Sequence, residues 1–197
     1  ARPSRVTLLT DAFALADAEV RGGLGTLVGA VADQLGGAII EAQLTDDKTW
    51  QRWASGFRVL MSAEAFAEHG DFYRRHGPSA LGDDVAARFE FASRVTDADC
   101  KAVDGVRSEV LSRLEELTED GTGVVLMPAV PTRAPRRNRP ETDTAAVQRL
   151  LQLTSIASLA GAPSVTVPSC TTTPVGLSLV GAPGSDEMLS DLAMGIH

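Results

Sequence analysis

His69, Tyr73, Arg74, Arg75 and His76 fall within one short stretch, the richest polar and aromatic cluster in the 197-residue chain. Arginine and histidine side chains at this density can grip a carboxylate or a carbonyl oxygen of a substrate. A solvated surface loop with a polar cap fits the same residues, and more simply. A second cluster, Arg133, Arg136, Arg137 and Arg139, lies among Pro131, Pro135 and Pro140. Here too a solvated loop is a simpler reading than an anion site. Cys100 and Cys170 are far apart, with neither CxxC nor Cys/His spacing, so neither a metal site nor a disulfide is expected. Gly22, Gly23 and Gly25 sit inside a helical pattern instead of between strand and helix, so they are no dinucleotide fingerprint and no cofactor is expected. Lys48 and Lys101 are the only lysines, one placed before an expected helix and one inside another.

The elements that position these residues are legible from apolar periodicity. RVTLL (Arg5–Leu9) reads as a short buried strand, with Asp11 as a turn or cap after it. From Asp17, apolar residues Val20, Leu24, Leu27, Val28, Val31 and Leu35 recur at helical steps, and Gly36 and Gly37 end the helix. AIIEAQL (residues 38–44) follows as a second strand, which makes a βαβ unit with parallel strands. Helices are expected over residues 49–68, 83–94 and 97–118, interrupted by a loop, HGDFYRRHGPSALG. The last of them carries Asp97 and Asp99 at its start and a stripe of Val103, Val106, Val110, Leu111, Leu114 and Leu117. Residues 121–127 form a buried strand closed by Pro128. The loop over residues 131–141 holds too many prolines for a helix or a central strand.

The C-terminal stretch, residues 151–187, organises the rest. A helix begun by Thr142 or Thr144 runs to a sharp corner, where Gly161 takes positive φ and Pro163 blocks continuation. Another element is expected to pass close to Gly161. The ladder Ser164, Val165, Thr166, Val167, Pro168 then alternates, and Leu177 and Leu179 alternate against Ser178, so two adjacent half-buried strands are expected.

LAGAPSVTVP (residues 159–168), a polar loop and PVGLSLVGAPGSDEMLSDLA (residues 174–193) together resemble the C-terminal signature of the amidase signature family. VVLMPAVPTRAP (residues 124–135) is similar to the strand and proline-rich loop that precede that signature. RVTLLTDAF (residues 5–13) resembles the segment that follows the family's catalytic region. The stretch over residues 50–120 carries no diagnostic pattern. The resemblance implies the C-terminal half of an amidase fold, with a mixed, partly parallel sheet covered by helices. It implies a part of a carbon–nitrogen amide hydrolase working through a serine acyl-enzyme, with a small-molecule amide as substrate. It also implies a pocket wall that includes Pro131, Thr132, Thr154 and Ser158. Small residues chosen for close helix packing explain Thr154 and Ser158 equally well. The family's catalytic serine, second serine on a cis peptide and lysine belong to a Gly/Ser-rich stretch with no counterpart here, so no catalytic residue is assigned and the chain alone is expected to be inactive. Relatives that transfer glutamine nitrogen place an acidic residue about ten positions before the corner glycine. Leu150, Leu151 and Gln152 stand there instead, which argues against a glutamine amidotransferase. The missing half, or self-association, is the expected partner. A non-catalytic amidase-like binding or assembly module is the alternative.

Composition agrees with one globular domain over residues 1–197. The hydrophobic fraction is 44% and charged residues make up 22%, ordinary values that exclude a disordered chain. A formal net charge of −8 excludes a nucleic-acid partner, because phosphate binding needs a basic face. No apolar run approaches the roughly 20 residues that span a bilayer, and a cytoplasmic, membrane-free location is expected.

Overall fold

The computed structural model describes residues 3–35, 39–119, 121–135, 144–169 and 174–196. In chain order the strands are β1 (Arg5–Leu9), β2 (Ile40–Ala42), β3 (Gly123–Pro128), β4 (Ser164–Pro168) and β5 (Gly176–Val180). The helices are α1 (Thr10–Ala14), α2 (Ala18–Leu35), α3 (Asp47–His76), α4 (Asp83–Ala92), α5 (Asp97–Ala102), α6 (Gly105–Leu117), α7 (Thr144–Ala160) and α8 (Asp186–Met194).

The strands form one sheet in the order β2-β1-β3-β5-β4. β1 pairs parallel with β2 and with β3, while β5 pairs antiparallel with both β3 and β4. This is the expected mixed sheet, with β5 inserted between β3 and the edge. Alternation of side chains along β3 divides the core in two. Val125 and Met127 join Trp50 and Trp53 of α3, Val110 and Leu114 of α6, and Ile156 and Leu159 of α7 on one face. Val124 and Leu126 join Val20, Leu24 and Val31 of α2 and Leu189 of α8 on the other. Helices therefore cover both faces, and every residue of β3 and β5 is buried.

The expected half-burial holds for β4, which alternates at the edge, and fails for β5. Ser178 explains the misreading. It is 8% exposed yet polar, and its hydroxyl is satisfied across the strand pair by Thr166, 3.1 Å away.

Three further expectations are corrected. Asp11 lies inside α1, and its carboxylate accepts from the backbone N–H of Leu44 and Thr45 and from the Trp50 indole. The helix expected over residues 97–118 breaks into α5 and α6 around Val103. At that break Val103 and Val106 both reach α3 at Gly56, where a Cβ would meet Val106 Cγ2 at 3.0 Å. The polar loop expected around His69 does not exist: α3 runs unbroken to His76 and ends at Gly77 with φ 74° before Pro78. Gly70 is tolerated mid-helix because the Phe66 ring lies against it, 3.1 Å from where its Cβ would be. Phe66 and Tyr73 in turn pack with Phe89 of α4.

The corner after α7 follows the sequence. Gly161 takes φ 61°, and the backbone N–H of Ala162 reaches the carbonyl of Ala157 at 2.9 Å. No other element crowds it, since nothing lies within 4 Å of the position a Cβ would take. The caps read at Gly36, Gly37 and Thr142, and Cys170 in its loop, lie outside the described residues.

Candidate functional site

A cleft of about 680 Å³ opens where the chain leaves β3 and meets the first turns of α2 and α7. One wall is the loop with Val130, Pro131 and Thr132, and the facing wall is Val147 and Leu150 of α7. Geometry explains the placement. The N–H of Ala129 donates to the Gly176 carbonyl at 2.9 Å, which extends the β3–β5 ladder by one step. Pro131 then turns the chain, and prolines leave the loop short of backbone donors. The buried carbonyl of Pro131 is satisfied instead by the N–H of Asp17, at 2.8 Å.

The charged side chains of this cleft pair with one another. Arg149 Nη1 donates to Asp17 Oδ1 and to the Leu15 carbonyl, both at 2.8 Å. Arg133 Nη1 donates to Glu19 Oε1 at 2.7 Å. Thr132 turns its hydroxyl to the neighbouring Arg133 carbonyl. Among the described lining residues there is no Ser, Cys, His or Lys. Such a wall can bind and orient a ligand, and it holds no nucleophile paired with a base.

Of the site residues read from sequence, Pro131 and Thr132 line this cleft. Thr154 and Ser158 lie one and two turns further along the same face of α7 as Leu150. Both are exposed and outside the cleft lining. The Thr154 hydroxyl donates to the Leu150 carbonyl at 2.9 Å, a bond internal to the helix. Sequence reading missed Asp17, Glu19, Arg149 and Val147, because nothing in local periodicity brings the start of α2 beside α7. Arg133, expected to be solvated, is exposed and carries a surface ion pair with Glu19. Arg136, Arg137 and Arg139 lie outside the described residues. In the cluster around His69, Tyr73 packs with Phe66 and Phe89, whereas His69, Arg74, Arg75 and His76 are exposed on the helix surface, with Arg74 paired to Asp71 and over the Phe66 ring and His76 beside Phe72. Among the described residues no group of three His, Cys, Asp or Glu side chains is arranged to hold a metal ion, and no helix is long and apolar enough to cross a membrane.

A second cleft of about 950 Å³ lies on the other side of Arg149, between the start of α3 and α7, with Gln51, Arg58, Gln148 and Gln152 in its wall.

A three-layer fold with a mixed sheet and a cleft at the end of β3 defines an α/β segment. The chain belongs to the amidase family, whose model matches residues 3–190. Solved structures agree on the fold. An amidase superposes with a TM-score of 0.76 at 22% identity, over 98% of this chain and 44% of that one. An allophanate hydrolase of Kluyveromyces lactis also gives 0.76 at 22% identity, over 98% and 31%. A bacterial aryl acylamidase of the amidase signature family gives 0.70 at 15% identity, over 98% and 42%. The chain thus spans less than half the length of these structures. A comparison with curated protein sequences finds no match.

Proposed function

We propose that this chain is the C-terminal part of an amide hydrolase, supplying core strands and one wall of the pocket for a small-molecule amide. Pro131 and Thr132 would contact the substrate from the cleft, with Thr154 and Ser158 continuing that surface along α7. A serine from the remaining half of the fold would attack the amide carbonyl and expel the amine, and water would then release the acyl group. The observation that carries this reading is the family match over residues 3–190, joined to a cleft whose described lining suits binding and offers no nucleophile paired with a base. The remaining half of the fold, or a second copy of the chain, is the partner proposed for the uncovered β4 edge.

The test measures ammonia or amine release from a panel of small amides. The chain is assayed alone and after co-expression with the N-terminal half of an amidase-family enzyme. Activity is expected only for the combination. Turnover by the chain alone, lost on changing one of its serines, overturns the proposal. A stable complex that hydrolyses nothing transfers the chain to the class of non-catalytic amidase-like modules.

A further inference from the structure

Among the described hydrogen bonds, Pro131 makes one, and it leads to the link between α1 and α2. Its carbonyl depends on the N–H of Asp17, and Asp17 belongs to the short link between α1 and α2. That link is gripped by two guanidinium groups. Arg21 Nη1 donates to the Ala16 carbonyl from within α2. Arg149 reaches across from α7 to the Leu15 carbonyl and the Asp17 carboxylate. The Asp17 carbonyl also accepts the N–H of Arg21 at 3.0 Å, which starts α2. Asp17 therefore joins three elements: the loop after β3 by its N–H, α2 by its carbonyl and α7 by its side chain.

The Arg133–Glu19 pair is a second tie, but it too runs from the loop to α2. Among the described hydrogen bonds, Arg149 is what couples this assembly to α7, the opposite wall of the cleft. We infer that Arg149 is a positioning residue that sets the width of the cleft by holding Asp17, and through it Pro131, against α7. What the cleft receives rests on the function proposed above. The latch itself is a property of this chain. Both bonds leave from one nitrogen, Nη1, so a lysine ammonium with several donors can reproduce them in part.

Amide hydrogen exchange at Asp17 reads the latch directly, since that N–H opens only when the Pro131 contact opens. In Arg149→Ala we expect exchange at Asp17 to accelerate about tenfold, as befits loss of charge-assisted bonds, while the amides of β3 keep their protection. Arg149→Lys should restore most of the protection. Molar salt should accelerate Asp17 exchange more in the unaltered chain than in Arg149→Ala, where, among the described ion pairs of this cleft, only the exposed Arg133–Glu19 pair is left to screen. Unaltered Asp17 exchange in Arg149→Ala overturns the inference, and so does acceleration shared equally by β3, which would mean global destabilisation. In the amide-hydrolysing complex, Arg149→Ala should raise KM with little change in kcat. A fall in kcat at constant KM overturns the positioning role. A complex that hydrolyses nothing counts against the proposed function alone, and the exchange measurement still decides the latch.

Discussion

The indole N–H of Trp53 lies 3.0 Å from Glu109 Oε2, and the guanidinium of Arg52 holds the same carboxylate from the adjacent position on α3. One acidic side chain thus ties α3 to α6 above the core cluster that both helices fill. Trp53 is 3% exposed, and a buried indole N–H needs a partner. Arg52 first, then Trp53, hold the Glu109 carboxyl below its ordinary value of 4.5.

The sign of the pH dependence follows from that depression. A carboxylate whose folded-state pKa is lowered stabilises the protein above its unfolded pKa, and this contribution is lost as pH falls through the folded value. Hydrogen bonds from Thr49 to the Asp46 cap, and from Thr96 to Asp99, lower those carboxyls in the same direction. Melting temperature should therefore hold constant from neutral pH down to about 4.5 and fall below it. Glu109→Gln should make the acid fall shallower. Because the pair is half exposed, its contribution at neutral pH stays within about 1 kcal/mol. Equal acid limbs for Glu109→Gln and the unaltered chain would refute the assignment.

Gly161 takes φ 61° with open space around it. Its requirement is conformational, without steric crowding. Gly161→Val should lower stability by at least about 1 kcal/mol, and Gly161→Asn by clearly less, because asparagine tolerates the left-handed region. Urea unfolding of both variants checks this, and equal losses would show that the corner is limited by something other than φ.

Gly123 differs, since backbone surrounds it. A Cβ there would meet the Thr118 carbonyl oxygen at 3.0 Å and the Arg5 carbonyl oxygen at 3.2 Å. Gly123→Ala must push apart the α6–β3 turn and the β1–β3 ladder, at a cost of about 1–3 kcal/mol. Thermal unfolding measures it, and a neutral result would mean that the turn yields freely.

At the β4 edge, Ser164, Val165, Thr166, Val167 and Pro168 present an uncharged five-residue strand, whereas the opposite edge, β2, has three residues and the exposed Glu41. An uncharged edge lacks the usual protection against pairing with another chain. Light scattering at tens of micromolar should show the isolated chain self-associating, and Ser164→Lys should reduce that association. A monodisperse monomer that binds no apolar dye would show that the chain closes its own surface.

Local order was readable without the fold wherever one period dominated. RVTLL marks β1 to the residue, the stripe from Val20 to Leu35 marks α2, and the Gly161 corner with its following strand carries the family resemblance. Pro131 and Thr132 entered the candidate site through the family resemblance alone; the local pattern gave only a proline-rich break after an apolar run. The tertiary structure decided what depends on distant partners. HGDFYRRHGPSALG reads locally as a loop, yet α3 continues to His76, with Phe66, Tyr73 and Phe89 packed together beside it. Ser178 reads as a solvent-facing position, yet β5 is buried between β3 and β4, and Thr166 satisfies the hydroxyl. Asp17 and Arg149 are 132 positions apart. Their meeting follows from the order in which the strands assemble and from the helices that assembly brings together, information that no window of neighbouring residues contains.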